Sequence, residues 1–409
     1  MIRLLLCGAT ALSALVCLVP SHASNDNVLE LGDMLPSGHW GARYDLRYQR
    51  ADRQFNADRQ RQEIAADSNH IPLDATAVPQ LAALGPGATL GTTALDVRVE
   101  GQRHRLTLAY AANNDLSIGV GVPYGDMRTK ANYAVIGGNL AFNPSFNPQQ
   151  PVSPSNPPLV PVGTFGTSQP VGTEGVQQIL TSAVYGYNYQ RLASTEASGL
   201  LDPTLGARWR FWTNDRAAAT FTPGLRLGMT KQDDPDNLFD APMDDGSTDL
   251  LLGLAYMQRL GTAYDLRGTL NYTYQTADHV TARARSSSEI LAPASRKERM
   301  RRDLGDILEA SMEGGRRFGD WRGYTSAEFF RKKRDSYVSP SGQDVGGLEQ
   351  YTQQSFYALR LGMDWNGVRA FRSGELPLPL LISLDYRRIV RASNTIDMGE
   401  VLLAFTGVF

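Results

Sequence analysis

The feature that most constrains this chain is a repeated alternation of apolar and polar residues in segments of strand length. In the first such segment, Trp40–Tyr48, the even positions are apolar or aromatic and the odd positions are glycine or charged. A period of two produces a β-strand with one apolar and one polar face. The same pattern returns in Tyr264–Gln275, Tyr357–Trp365 and Leu378–Arg387. The sequence therefore predicts a series of amphipathic strands.

The first residues have the pattern of an export signal. Arg3 precedes an apolar stretch from Leu4 to Pro20, and Ala23 provides the small residue that signal peptidase requires. We expect a signal peptide over 1–23, a periplasmic N-terminal arm over 24–38 and one folded unit over 39–409. Both cysteines, Cys7 and Cys17, lie within the signal, so no disulfide and no cysteine zinc cluster is expected in the exported chain.

Export and alternation together point to the bacterial outer membrane. The mean hydropathy is -0.30, and no run of about 18 apolar residues follows the signal, which argues against helical membrane spans. A transmembrane barrel hides its membrane signal, because residues that face lipid alternate with residues that face the lumen. The predicted fold class is all-β: a transmembrane, antiparallel, up-and-down β-barrel with long extracellular loops and short periplasmic turns.

The strand count depends on one ambiguous segment, Thr93–Ala111. Its apolar residues stand at odd positions before Gly101 and at even positions after it, which fits either one long strand with a bulge or a tight hairpin. A single strand gives about twelve strands and strict alternation of short and long connections. A hairpin requires a further strand in 176–190 and gives about fourteen strands. We favour twelve, with long connections at 50–91, 125–203, 230–247, 276–305, 333–350 and 391–398.

The last residue, Phe409, ends a segment in which Val401, Leu403 and Phe405 also lie on one face. A terminal strand with alternating apolar residues and a final phenylalanine resembles the signal that the barrel-assembly machinery reads. We therefore expect Phe409 to be an assembly signal, with both chain termini on the periplasmic side.

Three segments resemble a known family. They are Leu116–Tyr124 (LSIGVGVPY), Gly199–Arg210 (GLLDPTLGARWR) and Gly246–Tyr256 (GSTDLLLGLAY). Together they are similar to the outer-membrane transporters associated with the meta-pathway of phenol degradation, a group related in style to long-chain fatty-acid and toluene channels. The resemblance covers roughly residues 95–275. It implies a channel for small molecules, with aromatic or otherwise hydrophobic compounds as the solute class.

The polar faces of the predicted strands carry many charged residues, which we expect to face the lumen. One interpretation is a charged pore lining, and the other, which we favour, is a set of opposite charges that pair across strands and fill the barrel. These lumen candidates are Arg43, Asp45, Arg47, Arg208, Arg210, Arg226, Asp265, Arg267, Arg360, Asp364, Asp385 and Arg387.

Two predicted outer loops are strongly charged. A basic stretch in the loop 276–305 could bind lipopolysaccharide phosphates, because arginine pairs bidentately with phosphate, or could simply be solvated. Its cations are Arg296, Lys297, Arg299, Arg301 and Arg302.

Six aspartates between Asp233 and Asp245 form an acidic loop. Its spacing does not fit an EF-hand, so we favour solvated carboxylates over a calcium site.

The sequence does not predict catalysis. After the signal, the only histidines are His39, His70, His104 and His279, and no nucleophile-elbow motif occurs. We predict neither an enzyme, nor a cofactor, nor a metal site, and the net charge of -2 gives no sign of nucleic-acid binding.

The leading hypothesis is an outer-membrane channel for passive uptake of small molecules. The alternative is a structural or adhesive barrel with a sealed lumen, whose loops bind lipopolysaccharide or another partner. The expected partners are outer-membrane lipid, lipopolysaccharide, the barrel-assembly machinery and a small-molecule solute.

Overall fold

Twelve antiparallel strands form one closed barrel. The computed structural model describes residues 34–230, 233–241 and 243–409, so the predicted signal peptide lies outside the described residues. The strands are β1 (Trp40–Ala51), β2 (Thr92–Asn113), β3 (Leu116–Ile136), β4 (Thr204–Thr213), β5 (Ala217–Arg226), β6 (Asp249–Leu260), β7 (Tyr264–Gln275), β8 (Ile307–Phe318), β9 (Trp321–Lys332), β10 (Gln354–Asn366), β11 (Leu380–Ser393) and β12 (Gly399–Val408).

Each strand pairs with its neighbours in the chain, and β12 pairs with β1, which closes the ring. The predicted up-and-down barrel of twelve strands is therefore confirmed, and the alternative of fourteen is wrong. At the closure, the backbone N–H of Trp40 donates to the Phe409 carbonyl at 2.8 Å, and the Phe409 N–H donates back to the Trp40 carbonyl at 2.9 Å. Trp40 and Phe409 thus form a reciprocal pair of backbone hydrogen bonds at the seam between β1 and β12.

One end of the barrel has mostly short connections and the other end mostly long ones. The exceptions are 367–379 at the first end and 394–398 at the second, so the predicted strict alternation of short and long connections fails there. We call the end with the shorter connections periplasmic and the other end outer, following the usual arrangement in outer-membrane barrels. The periplasmic connections are 114–115, 214–216, 261–263, 319–320 and 367–379. The outer connections are 52–91, 137–203, 227–248, 276–306, 333–353 and 394–398. The predicted start of the loop 125–203 is wrong, because β3 continues to Ile136 and pairs there with the long β2.

The outer connections contain most of the remaining secondary structure. The longest helix in the described part of the chain, α1 (Gly172–Thr181), overlaps the segment 176–190, in which the alternative of fourteen strands required a further strand. The short strands are Arg53–Phe55, Arg61–Glu63, Leu140–Phe142, Leu159–Pro161, Thr195–Leu200, Asp278–Arg283, Lys297–Asp303, Ser336–Val338 and Thr395–Ile396. Short α-helices span Gly346–Glu349 and Val368–Arg372, and 3₁₀ turns span Ala66–Ser68, Pro79–Leu84, Thr164–Gly166, Ala183–Tyr185 and Ala294–Arg296. No helix in the described part of the chain is long and apolar enough to span a membrane.

The long strand β2 explains the change of phase near Gly101. Odd-numbered residues face inward along its whole length, with Val97 and Val99 buried near the outer end and Arg103 and Arg105 buried nearer the periplasm. Its pairing with β3 stays in register from Thr92 to Ala111, so both the hairpin and the bulge are wrong. The surroundings of the inward face change along the strand. Its outer half contacts apolar loop residues, and its periplasmic half faces the polar lumen.

Apolar packing is concentrated at the outer end. Side chains from three outer connections, including Ile64, Phe239 and Ile396, are buried against the inward faces of β2 and β3. We call this group the outer lid, and it consists of Ala51, Ile64, Ala65, Leu95, Val97, Val99, Met127, Phe239, Ala241, Ile396 and Met398. The helix α1 packs into a second cluster through Val176, Ile179 and Leu180. The main cores of the molecule thus lie beneath the outer loops.

The outward face of the barrel is apolar with aromatic residues near its edges. At the periplasmic end Phe318, Trp321 and Trp365 stand in register on three neighbouring strands, as an aromatic girdle requires. Further from that edge, Leu254 of β6 and Leu270 of β7 face each other across the ladder and are about half exposed. This is the face that lipid would cover.

We predict that Leu270→Arg destabilises the barrel by about 2–4 kcal/mol, because a cation on the lipid face near the bilayer midplane is desolvated. Equilibrium urea unfolding in lipid vesicles measures the change. Leu270→Ala, which keeps the position uncharged, should cost clearly less. Equal stability of Leu270→Arg and the unaltered protein would mean that this face does not meet lipid.

Candidate functional site: the barrel lumen

The inward faces of the twelve strands form the candidate site. Ten of the predicted lumen residues have buried side chains: Arg43, Asp45, Arg47, Arg208, Arg226, Asp265, Arg267, Asp364, Asp385 and Arg387. Arg360 also points inward and is partly exposed. Arg210 lies closer to the periplasmic end than the others and binds the carboxylate of Asp115, in the periplasmic turn 114–115, at 2.8 Å. The structure therefore groups eleven of the twelve on the lumen wall and places Arg210 at its edge.

A first network surrounds Arg322 near the periplasmic end. Its guanidinium lies 2.5 Å from Asp265, 2.6 Å from Glu313 and 3.2 Å from Asp364. These carboxylates come from β7, β8 and β10, so Arg322 on β9 joins four strands. Arg267 lies 3.4 Å from Asp265 on the same strand. One guanidinium with five donors can serve several carboxylates at once.

A second network surrounds Glu328 on β9. Its carboxylate accepts hydrogen bonds from Arg360 at 2.8 Å and from Arg387 at 2.6 Å. Arg360 also lies 3.6 Å from Asp385, which accepts a hydrogen bond from the Tyr324 hydroxyl at 3.2 Å. Two arginines and two carboxylates on three neighbouring strands are thus linked into one chain of contacts.

Further pairs complete the wall. Arg43 and Asp45 contact each other at 2.7 Å, and Arg47 lies 3.3 Å from Glu400 across the closing seam. At the outer end Arg226 pairs with Asp249. The pattern agrees with paired charges that fill the barrel, which the low polarity of a barrel interior favours over unpaired ions.

Several of the central residues escaped the sequence analysis, above all Arg322, Glu313 and Glu328. They lie on β8 and β9, whose outward positions include Gly314, Thr325 and other small residues, so the alternation there is weak. Taking Trp321 as an outward-facing residue makes the even positions of this strand face inward, and these include Arg322 and Glu328.

A cavity of about 150 Å³ lies in the lumen among these networks. Its charged lining residues are Arg47, Arg208, Arg267, Glu309, Glu313, Glu328, Arg360, Arg387 and Glu400. Small side chains, such as Thr220 and Ala255, line the opposite wall on β5 and β6, which leaves the space open. Phe330 and Phe356 stack at 4.6 Å between ring centres and border the cavity. The cavity can therefore hold water or a small solute.

The acidic loop is not a solvated loop. Asp236 lies 2.6 Å from both Arg283 and Lys297, and Asp244 lies 3.1 Å from the inward-facing Arg103. Burial raises the pKa of Asp245, but Arg226, Arg302 and Ser247 outweigh it and lower that pKa to about 2. Ion pairs with these cations thus fix the acidic loop to neighbouring strands, and Phe239 of the same loop packs in the outer lid. In the described part of the chain, no three His, Cys, Asp or Glu residues are arranged to hold a metal ion.

The basic stretch divides into paired and exposed residues. Arg296 contacts Glu289 at 2.5 Å, Lys297 contacts Asp236 at 2.6 Å, and Arg302 contacts Asp278 at 2.6 Å. On the strand Lys297–Asp303, Arg299 and Arg301 share the exposed face with Lys297, whereas Arg302 lies on the buried face. The strand pattern therefore directs only part of the predicted cluster toward solvent.

The described part of the N-terminal arm enters the periplasmic mouth. Met34 is buried. The side chain of Leu35 packs against Gly41, and a Cβ atom at position 41 would lie only 2.7 Å from it. Glycine at this inward-facing position of β1 therefore makes room for the arm.

Comparison with known proteins supports the fold. No protein-family model matches the chain, and no curated protein matches its sequence. An outer membrane channel from Pseudomonas putida F1 superposes with a TM-score of 0.54 at 10% identity, covering 95% of this chain and 100% of that one. The beta domain of the Bordetella autotransporter BrkA gives 0.36 at 10% identity, covering 91% and 100%. The Pseudomonas putida toluene transporter TodX gives 0.32 at 11% identity, covering 91% and 89%.

The first of these similarities shows a shared barrel fold, and the two lower TM-scores add nothing to it. The chain is a closed antiparallel barrel of the kind found in bacterial outer membranes. The resemblance to the transporters associated with phenol degradation stays a prediction.

We predict that Arg322→Met destabilises the barrel by about 3–5 kcal/mol, because buried carboxylates would lose their shared cation. Equilibrium urea unfolding in lipid vesicles gives the value. Arg369→Met is the matched control, since Arg369 pairs with Asp320 at 3.2 Å on the exposed periplasmic surface. That control should change stability by about 0–1 kcal/mol. Similar losses in both variants would show that the buried network has no special role.

Proposed function

We propose that this protein is an outer-membrane channel for the passive uptake of small molecules. The observation that carries the proposal is the cavity of about 150 Å³ among the lumen charges. The similarity of the whole chain to an outer membrane channel from Pseudomonas putida F1 supports it through the shared fold. The predicted cleaved signal peptide, 1–23, would deliver the chain to the outer membrane.

The solute path is proposed to follow the charged wall. Arg47, Arg208, Arg267, Arg360 and Arg387 border the cavity and would contact a solute directly. A cavity of this size matches a molecule of about the volume of benzene. The resemblance noted in the sequence implies an aromatic or hydrophobic solute. The ionic wall favours solutes of that size that also carry a polar or charged group.

A sealed barrel is the second candidate, and the outer lid favours it. Phe239, Ile64 and Ile396 are buried together against the inward faces of β2 and β3 near the outer end, where they would narrow the direct path from outside. In this alternative the loops would bind lipopolysaccharide. Arg299 and Arg301 are exposed cations of the basic stretch, and they would bind the phosphate groups of lipopolysaccharide.

Planar-bilayer recording of the purified protein separates the two candidates. A channel gives discrete conductance steps, and Phe239→Ala should raise the conductance because it thins the lid. Phe211→Ala, on the exposed outward face, is the control and should leave the conductance unchanged.

A silent barrel that also fails to admit solutes into liposomes would contradict the channel. If the sealed barrel is correct, the double variant Arg299→Gln and Arg301→Gln should bind lipopolysaccharide more weakly. The paired cations Arg296 and Lys297, replaced by glutamine, serve as its control.

We also propose that Phe409 is read by the barrel-assembly machinery. Its ring is well exposed while its backbone closes the β1–β12 seam. Phe409→Ala, which keeps the backbone pairing, should lower the amount of assembled protein in outer-membrane fractions. Unchanged amounts would assign the residue a structural role only.

A further inference from the structure

One carboxylate in the lumen cavity differs from the others that line it. Glu313 contacts Arg322 at 2.6 Å, Glu328 contacts Arg387 at 2.6 Å, and Glu400 lies 3.3 Å from Arg47. Glu309 lines the same cavity and forms no hydrogen bond or ion pair with any residue that the structure describes. Its side chain is partly exposed, so the carboxylate is accessible from the cavity.

The cations nearest to Glu309 are already engaged. Arg387, Arg226 and Arg47 act on it electrostatically, but none lies within ion-pair distance. Arg387 binds Glu328 and also lies over the Phe356 ring at 5.0 Å. Arg226 binds Asp249, and Arg47 binds Glu400. Arg208 and Arg267 line the same cavity but form no ion pair with Glu309 either, so among the described residues no cation lies within ion-pair distance of this carboxylate and a ligand in the cavity could supply one.

The immediate neighbours of Glu309 suit a compact organic molecule. Across the ladder it stands opposite Asn271 on one side and Phe330 on the other. Phe330 and Phe356 border the cavity and stack with an interplanar angle of 7°, and both rings are almost fully buried, so they form an apolar border beside the carboxylate. An aromatic border suits the apolar body of a ligand.

A primary ammonium group fits this set of neighbours. It supplies three N–H donors and a full positive charge, and hydrogen bonds between two ions are the strong kind. The cavity volume of about 150 Å³ limits the rest of the molecule to roughly one aromatic ring.

We propose that Glu309 forms the binding subsite for the ammonium group of a small primary amine with an apolar body. The inference rests on the proposed function, because it identifies the class of solute that the channel would select. An amine bound here gives every glutamate of the cavity a cationic partner.

Calorimetric titration of benzylamine into the folded protein in detergent micelles tests this subsite without requiring permeation. Benzyl alcohol is the uncharged comparison. Benzylamine should bind to the unaltered protein, and Glu309→Gln should weaken that binding by about tenfold or more, as loss of a charged hydrogen bond does. Binding of benzyl alcohol should not depend on residue 309.

Two further variants sharpen the result. Asn271→Asp adds a second carboxylate beside Glu309 and should strengthen benzylamine binding. Glu100→Gln alters a glutamate that pairs with Lys130 outside the lumen, at 2.5 Å, and should leave binding unchanged. No binding to the unaltered protein, or equal affinity in Glu309→Gln and Asn271→Asp, would overturn the proposal.

The outcomes also separate this proposal from the channel itself. A barrel that binds benzylamine through Glu309 but does not conduct would overturn the channel and leave the subsite in place. A barrel that conducts but binds no benzylamine would overturn the subsite alone.

Discussion

The backbone hydrogen bonds of the closed sheet set the direction of every side chain in the barrel. A strand in lipid has no water for its N–H and C=O groups, so every edge must be paired. The contact of β1 with β12, ending in the mutual bonds of Trp40 and Phe409, removes the last edge. Once the ring is closed, alternate side chains must point to lipid and to the lumen. Charged side chains are therefore directed into the lumen, because lipid disfavours them, and inside the lumen they form ion pairs with each other.

The lumen shows how that requirement is met. Arg322 and Glu328 each collect partners from neighbouring strands, so cations and carboxylates neutralise each other within a narrow space. Such pairs add little net stability over apolar packing, but removing one member leaves a buried charge. Among the described residues that line the cavity, Glu309 is the glutamate that forms no ion pair.

Sequence reasoning succeeded where a strand has strong contrast between its faces. Trp40–Tyr48 and Tyr357–Trp365 were assigned correct faces because aromatic and aliphatic residues alternate with charges. It failed on β9, where small outward residues weaken the contrast and hide Arg322. It also misjudged β2, since a change of polarity along one face looks the same as a change of face. The acidic loop was taken for a solvated one because nothing local reveals cations that lie on distant strands.

Local alternation predicts an antiparallel barrel with most charged residues facing inward, and the spacing of turns favours twelve strands, which the structure has, over fourteen. These follow from local alternation and from the spacing of turns, which any stretch of chain displays without its partners. Only the folded barrel shows which charges pair, how the outer loops pack against β2 and β3, and which glutamate of the described cavity lining forms no ion pair. Those outcomes depend on distances between residues far apart in the chain, as between Arg47 and Glu400, and only closure of the barrel sets such distances.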